Sequence, residues 1–178
     1  MALELNAEPI TFDEVVQQAR ADAIAADEER ELIEDVIIPA ARQLAETKTG
    51  SAIMPRKFTK RYAQPATGSI LLPMGNAYEI NKVTCAGADL DPSAYSLDQE
   101  GAQSWLNISA WPTPGEAVIE YTAGIDIAEF PSVKQWLLLC AAFMYDHRDL
   151  MTPGQAPQAM PQHYVDSLLM PITVPPRI

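Results

Sequence analysis

Four polar residues, Asp146, His147, Arg148 and Asp149, come directly after nine apolar ones, Leu137 to Tyr145. Carboxylates beside an imidazole can hold a divalent metal and activate water, the chemistry of a small metal-dependent hydrolase or nuclease. Asp146 and Asp149 stand three residues apart, so in a helix both project from one face. The ligand set is nevertheless thin. The only other histidine is His163, and no HExxH or ExxH pair occurs in the chain. An apolar helix ending in Asp, His, Arg and Asp also describes a core helix emerging into water. The expectation is a helix end, with no metal, no cofactor and no catalysis.

The stretch PRKFTKR, residues 55–61, is the one basic concentration, with four of the 12 Lys and Arg residues and no acid. In an extended strand Arg56, Phe58, Lys60 and Tyr62 point one way and Lys57, Thr59 and Arg61 the other. Three readings stay open for Arg56, Lys57, Lys60 and Arg61: contact with nucleic acid, contact with an acidic protein partner, or a solvated strand. The other chemical signatures are missing. There is no GxSxG and no glycine-rich phosphate loop, and no Asp/Asn/Gly loop for calcium. Cys85 and Cys140 lie in apolar surroundings and read as buried free thiols of a reducing compartment.

Periodicity and punctuation define the elements that would carry these residues. Thr11 and Glu14 form a capping-box pattern at the head of a helix expected over about 11–25. A second helix is expected over about 27–48, with Leu32, Ile33, Val36, Ile37, Ala40, Ala41 and Leu44 as its apolar stripe. Pro39 should kink or break it, and Gly50 should close it. Short strands are expected at Lys57–Tyr62, Ser69–Leu72, Glu79–Cys85, Ser104–Ile108 and Ala117–Tyr121, with PMGN, GADLDPSAY and WPTPG as turns. A third helix, over 131–149, opens on Pro131 and is apolar all round in its middle, as a helix contacted on several sides would be.

The fold class expected is α+β. Two N-terminal helices and a central apolar helix form a helical core, a small antiparallel β element is inserted at about 51–122, and an extended C-terminal tail comes last. Residues 1–150 form one domain by this reading. Residues 151–178 form a Pro-rich linker and a tail, with a short helix at about 162–170.

With 48% apolar and 20% charged residues, the chain of 178 residues can bury a core. Its net charge of −12 is concentrated at the start: residues 1–50 hold 12 acids and 4 bases, or −8. So acidic a chain is a poor candidate for tight, non-specific DNA binding. The opening MALELNAEPI lacks a signal peptide's basic and apolar regions, and no apolar run is long enough to span a membrane. A soluble, cytosolic product is expected.

Five segments in one order carry a resemblance: ELIEDVIIPAARQLAETKTGSAI, LDPSAYSLD, WPTPGEAVIEYTAGI, FPSVKQWLLLCAAFMYDHRD and VDSLLMPITVPPRI. Together they resemble the head–tail connector (adaptor, or head-completion) proteins of long-tailed bacteriophages, the family often described as possible DNA-packaging proteins. The resemblance implies a structural virion protein rather than an enzyme. Copies would form a ring of twelve beneath the portal, extend the DNA channel and offer a surface to the next neck or tail-completion protein. It places the protein in the virion neck at the portal vertex, and in the host cytoplasm during assembly.

The resemblance makes the C-terminal segment a candidate for docking on the portal. Tyr164, Leu168, Leu169, Ile172 and Val174 supply apolar anchors suited to a neighbouring groove; the same residues would equally let the tail fold back on its own chain. In a ring of this kind an acidic wall repels genomic DNA and lets it slide without tight binding. Against the family pattern, the basic PRKFTKR stands where members often carry a Trp and acidic-polar alternation. The other readings are the hydrolase or nuclease built on Asp146, His147 and Asp149, and a monomeric packaging or assembly accessory that leaves before maturation.

Overall fold

Thr11 begins the first helix as the capping box predicts. Its amide donates to Glu14 Oε2 (3.0 Å) and its hydroxyl accepts from the Glu14 amide (3.4 Å). The structure is a computed structural model that describes residues 3–65, 67–147 and 162–175, although the side chains of residues 162–164 are not among them. The fold is mixed α+β, and the chain divides into two units. One comprises Met1–Ala7, Gly50–Asp126 and Ile172–Ile178; the other comprises Glu8–Thr49 and Ile127–Pro171.

The second of these is helical: α1 (Phe12–Ala19), α2 (Ala23–Glu28), α3 (Arg30–Leu32), a π-helical turn (Ile33–Ile37), α4 (Ile38–Thr49), α5 (Pro131–Asp146) and α6 (Gln162–Ser167). The single helix expected over 11–25 is in fact two. Arg20 turns left-handed (φ 54°) and closes α1, and Asp22 restarts the helix by accepting the Ile24 and Ala25 amides. A short polar residue before a helix competes well as a cap, which is why the break falls there.

Pro39 perturbs the next helix as expected, in a specific form. The chain adopts a π turn ahead of it, in which the Ile38 amide reaches back five residues to Ile33 O. Accommodating a residue with no N–H by widening one turn leaves the helix continuous rather than broken. α5 packs against α1 and α4, and burying Val133, Trp136, Leu137, Cys140 and Ala141 accounts for that. It is not covered all round: Phe143 is 36% exposed, and Leu138 and Leu139 are half-buried.

The other unit is built on strands: β1 (Arg56–Tyr62), β2 (Gly68–Leu71), β3 (Ala77–Cys85), β4 (Ala88–Asp89), β5 (Tyr95–Glu100), β6 (Gln103–Ile108) and β7 (Ala117–Ala123). They form two antiparallel sheets, ordered β1-β7-β3-β4 and β2-β6-β5. One core joins both sheets, with Val83, Ile119 and Tyr121 from the first and Ile70, Leu106 and Ile108 from the second. β5 has no counterpart among the expected strands, because LDPSAYSLD carries the Asp-Pro-Ser signature of a turn. That signature is used for a single 3₁₀ turn, Pro92–Ala94, capped by Asp91, and the residues after it pair with β6.

Candidate functional site: the basic edge strand and the C-terminal segment

β1 is an edge strand. Among the described residues it pairs only with β7, in an unbroken register from Arg56↔Ala123 to Tyr62↔Ala117. That register decides which side chains face the core. Phe58 lies opposite Tyr121 and stacks on it, with centroids 5.5 Å apart and planes at 21°. Tyr62 shares this face and its hydroxyl donates to Leu71 O (3.4 Å).

The alternation predicted from the sequence therefore holds, and it puts both aromatics to use inside the unit. Phe58 and Tyr62 are half-buried, with Arg56 Cζ 4.9 Å above the first ring and Lys60 Nζ 5.8 Å above the second. Each ring thus has a cation of its own strand over it. Lys57 and Arg61 project from the opposite face, and Arg61 reaches Glu116 at 3.5 Å across solvent. The stretch 55–61 places exposed Lys57, Lys60 and Arg61 along one sheet edge.

From Ile172 onward the C-terminal segment, where it is described, lies against the strand unit of its own chain. Ser51 Oγ donates to Ile172 O at 2.5 Å, and Ile172 is fully buried. Val174 sits over Gly75, where an added Cβ would stand 2.8 Å from Val174 Cγ2. Leu169 is buried and Leu168 half-buried, whereas Met170 is 71% exposed. The side chain of Tyr164 lies outside the described residues. Lys48 and Asp166 pair at 3.1 Å within the helical unit.

The helix-end cluster is only partly described, since Arg148 and Asp149 lie outside the described residues. His147 stacks on Phe143 (centroids 4.3 Å, 15°), and its Nδ1 is 3.2 Å from Phe143 O. Its imidazole thus closes the last turn of α5, and Asp146 is exposed beside it. Among the described residues no group of three or more His, Cys, Asp or Glu is placed to hold a metal, and no helix is long and apolar enough to cross a membrane.

Cys140 is buried on α5, and burial pushes its thiol up to about 11, against a weaker opposing effect of Lys48. A thiolate is the reactive form. Native protein near pH 8 is therefore expected to show no fast labelling of Cys140 by a thiol reagent, with full labelling after denaturation. Rapid labelling of the folded protein would contradict this packing.

Sequence reasoning missed a third feature, a buried ion cluster in the helical unit. Arg42 Nε and Nη2 contact the two Glu8 carboxylate oxygens at 2.8 and 3.1 Å, and Nη1 contacts Glu46 Oε2 at 3.1 Å. Burial opposes the charge on Arg42, but the two carboxylates outweigh it and hold its pKa above the ordinary value. The i,i+4 spacing of Arg42 and Glu46 was the available signal; Glu8, far away in sequence, gave none.

No family model and no curated protein matches this chain. Solved structures share its fold, two of them as follows. A chain in the neck of an empty gene transfer agent particle, computed with C6 symmetry, superposes with a TM-score of 0.72 at 21% identity, covering 100% of this chain and 98% of the other. A chain of the virion of a native gene transfer agent particle gives 0.77 at 18% identity, covering 99% and 95%. The fold is thus shared over nearly the whole length with chains of a gene transfer agent particle's neck and virion.

Proposed function

We propose that this chain is a structural neck protein of a phage-like particle, a connector without catalytic turnover. The observation that carries the reading is the end-to-end likeness of fold to chains of a particle neck and virion. The five ordered segments of the sequence support the same family independently. By this reading copies assemble as a ring of twelve beneath the portal, lengthen the DNA channel and present a face to the next neck or tail-completion protein. Genomic DNA passes through without being held, since twelve chains at −12 each bring −144 to the ring, and phosphate is repelled by such a wall.

The portal contact we assign to the C-terminal segment is one of exchange. Leu169 and Ile172 are buried in their own chain, so docking on a portal groove would release them from it. The basic strand is the second contact candidate, through Lys57, Lys60 and Arg61 with Arg56 at its start.

Immunogold labelling of purified particles carrying an epitope-tagged copy tests the reading. Gold is expected at a single site per particle, between head and tail. Absence of the protein from mature particles would overturn the connector reading in favour of an accessory that departs during assembly.

A further inference from the structure

We infer that β1 is a strand-addition site, at which an extended acidic segment of another neck protein pairs with the open edge of the sheet and meets its lysines and arginines. This rests on the neck reading only for who brings the segment, and it adds the mode of contact and the partner's chemistry.

β1 is the longest of the strands that end a sheet, with seven residues against two for β4, four for β2 and six for β5. Its pairing with β7 is unbroken and has no bulge, and Pro55 stands ahead of the strand rather than in it. Asn6 N donates to Pro55 O (2.8 Å) just before the strand begins. Beyond that point, among the described residues, the backbone of residues 57–61 bonds to nothing but β7. Along such an edge every second residue turns its N–H and C=O outward, unpaired.

Sheet edges are guarded by shortness, bulges, proline or charge, and here charge is the guard. Lys57, Lys60 and Arg61 are exposed, and β1 contains no acid. Lys57 and Lys60 form no ion pair among the described residues. The Arg61–Glu116 pair, at 3.5 Å, is exposed on both sides, so it contributes little and exchanges readily. Like charges across a strand pair destabilise it, so these cations repel a second β1 laid alongside; they favour carboxylates at the same positions.

Between two kinds of anionic partner the backbone decides. DNA phosphates accept hydrogen bonds and donate none, so they would leave the outward carbonyls of β1 unanswered. A peptide strand supplies donors and acceptors in alternation and answers both.

The probe is a capped, fluorescein-labelled peptide of seven residues alternating Thr and Glu. It is compared with the same peptide carrying Lys for Glu, with one N-methylated at four consecutive central residues, and with a duplex DNA oligonucleotide. N-methylation keeps the charge and removes donors from both edges of the peptide. Anisotropy reads binding to the full chain, and hydrogen exchange reads the amides of β1. The acidic peptide is expected to bind, and the Lys and N-methylated forms to bind at least about tenfold more weakly. Every second amide over residues 57–61 is expected to exchange about tenfold more slowly at saturation. The variant Lys57→Glu with Lys60→Glu, shown by thermal unfolding to fold as the wild type does, is expected to lose about tenfold in affinity for the acidic peptide.

No binding of the acidic peptide overturns the inference, as does equal binding of the Lys or N-methylated form, or slowed exchange confined to residues outside β1. DNA bound more tightly than the peptide overturns it in favour of nucleic acid. Gold at the neck with no peptide binding would sink the strand-addition site alone, and peptide binding by a protein absent from particles would sink the neck reading alone.

Discussion

Replacing Arg42 with alanine is expected to cost about 3–5 kcal/mol of folding stability. The guanidinium is 5% exposed and joins Glu8, before α1, to Glu46, one turn further along α4. Both nitrogens of its fork that face Glu8 are engaged, in the two-pronged geometry that makes Arg–carboxylate contacts strong. Removing it leaves the 5% exposed carboxylate of Glu46 buried with its cation gone. The loss comes mainly from that stranded charge and less from the contacts themselves. Urea unfolding of Arg42→Ala checks the size. The double variant Arg42→Met with Glu46→Leu separates the two causes, because removing both charges together is expected to restore most of the stability. A single variant within 1 kcal/mol of wild type (roughly the worth of an exposed pair) would show the cluster to be solvated.

The second large effect is expected at Gly124, immediately after β7. Its φ of +153° is a conformation that residues with a side chain rarely adopt. A Cβ there would also fall inside the backbone of Pro55, against its N and Cα atoms. The close approach has a purpose in the fold. Gly124 N donates to Asn76 O at 3.0 Å, and Ile125 N donates to Ile53 O at 3.1 Å, so the chain leaving β7 is laced to the segments entering β3 and β1. Gly124→Ala must shift backbone on one side or the other, and a loss of about 3 kcal/mol is expected from strain and broken pairing together. Gly101→Ala is the control. It also has positive φ (59°), but nothing lies within 4 Å of an added Cβ, so only the smaller conformational cost applies. A thermal shift as small for position 124 as for position 101 would contradict this close packing.

These two sites show where sequence reading stops. Thr11 and Glu14 declared their cap because both partners of a capping box lie within one turn. Pro39 declared a disturbance, but the choice between a break and a π turn depends on whether the helix on either side is held by packing, and the sequence does not state that. Asp91-Pro92 declared a turn and concealed the strand immediately after it. The strand β1 declared its alternation; which face was inside became clear only from Tyr121 lying opposite Phe58 on β7.

The candidate surfaces were legible in the same uneven way. The basic stretch 55–61 was visible as composition, whereas its position at a sheet edge needed the strand order. The apolar pattern of the C-terminal segment was visible too. That Ile172 meets Ser51 and Val174 lies on Gly75 was not, because those contacts span roughly a hundred residues or more. Glu8 joined to Arg42 is the same kind of non-local fact.

The most direct test of the connector reading is deletion of this gene from the genome that encodes it, with the resulting particles viewed by negative-stain electron microscopy. Free tails lying beside tailless heads, filled or leaking DNA, are the expected result, because the joint between them would be missing. Normally tailed particles in the deletion strain would contradict the connector reading.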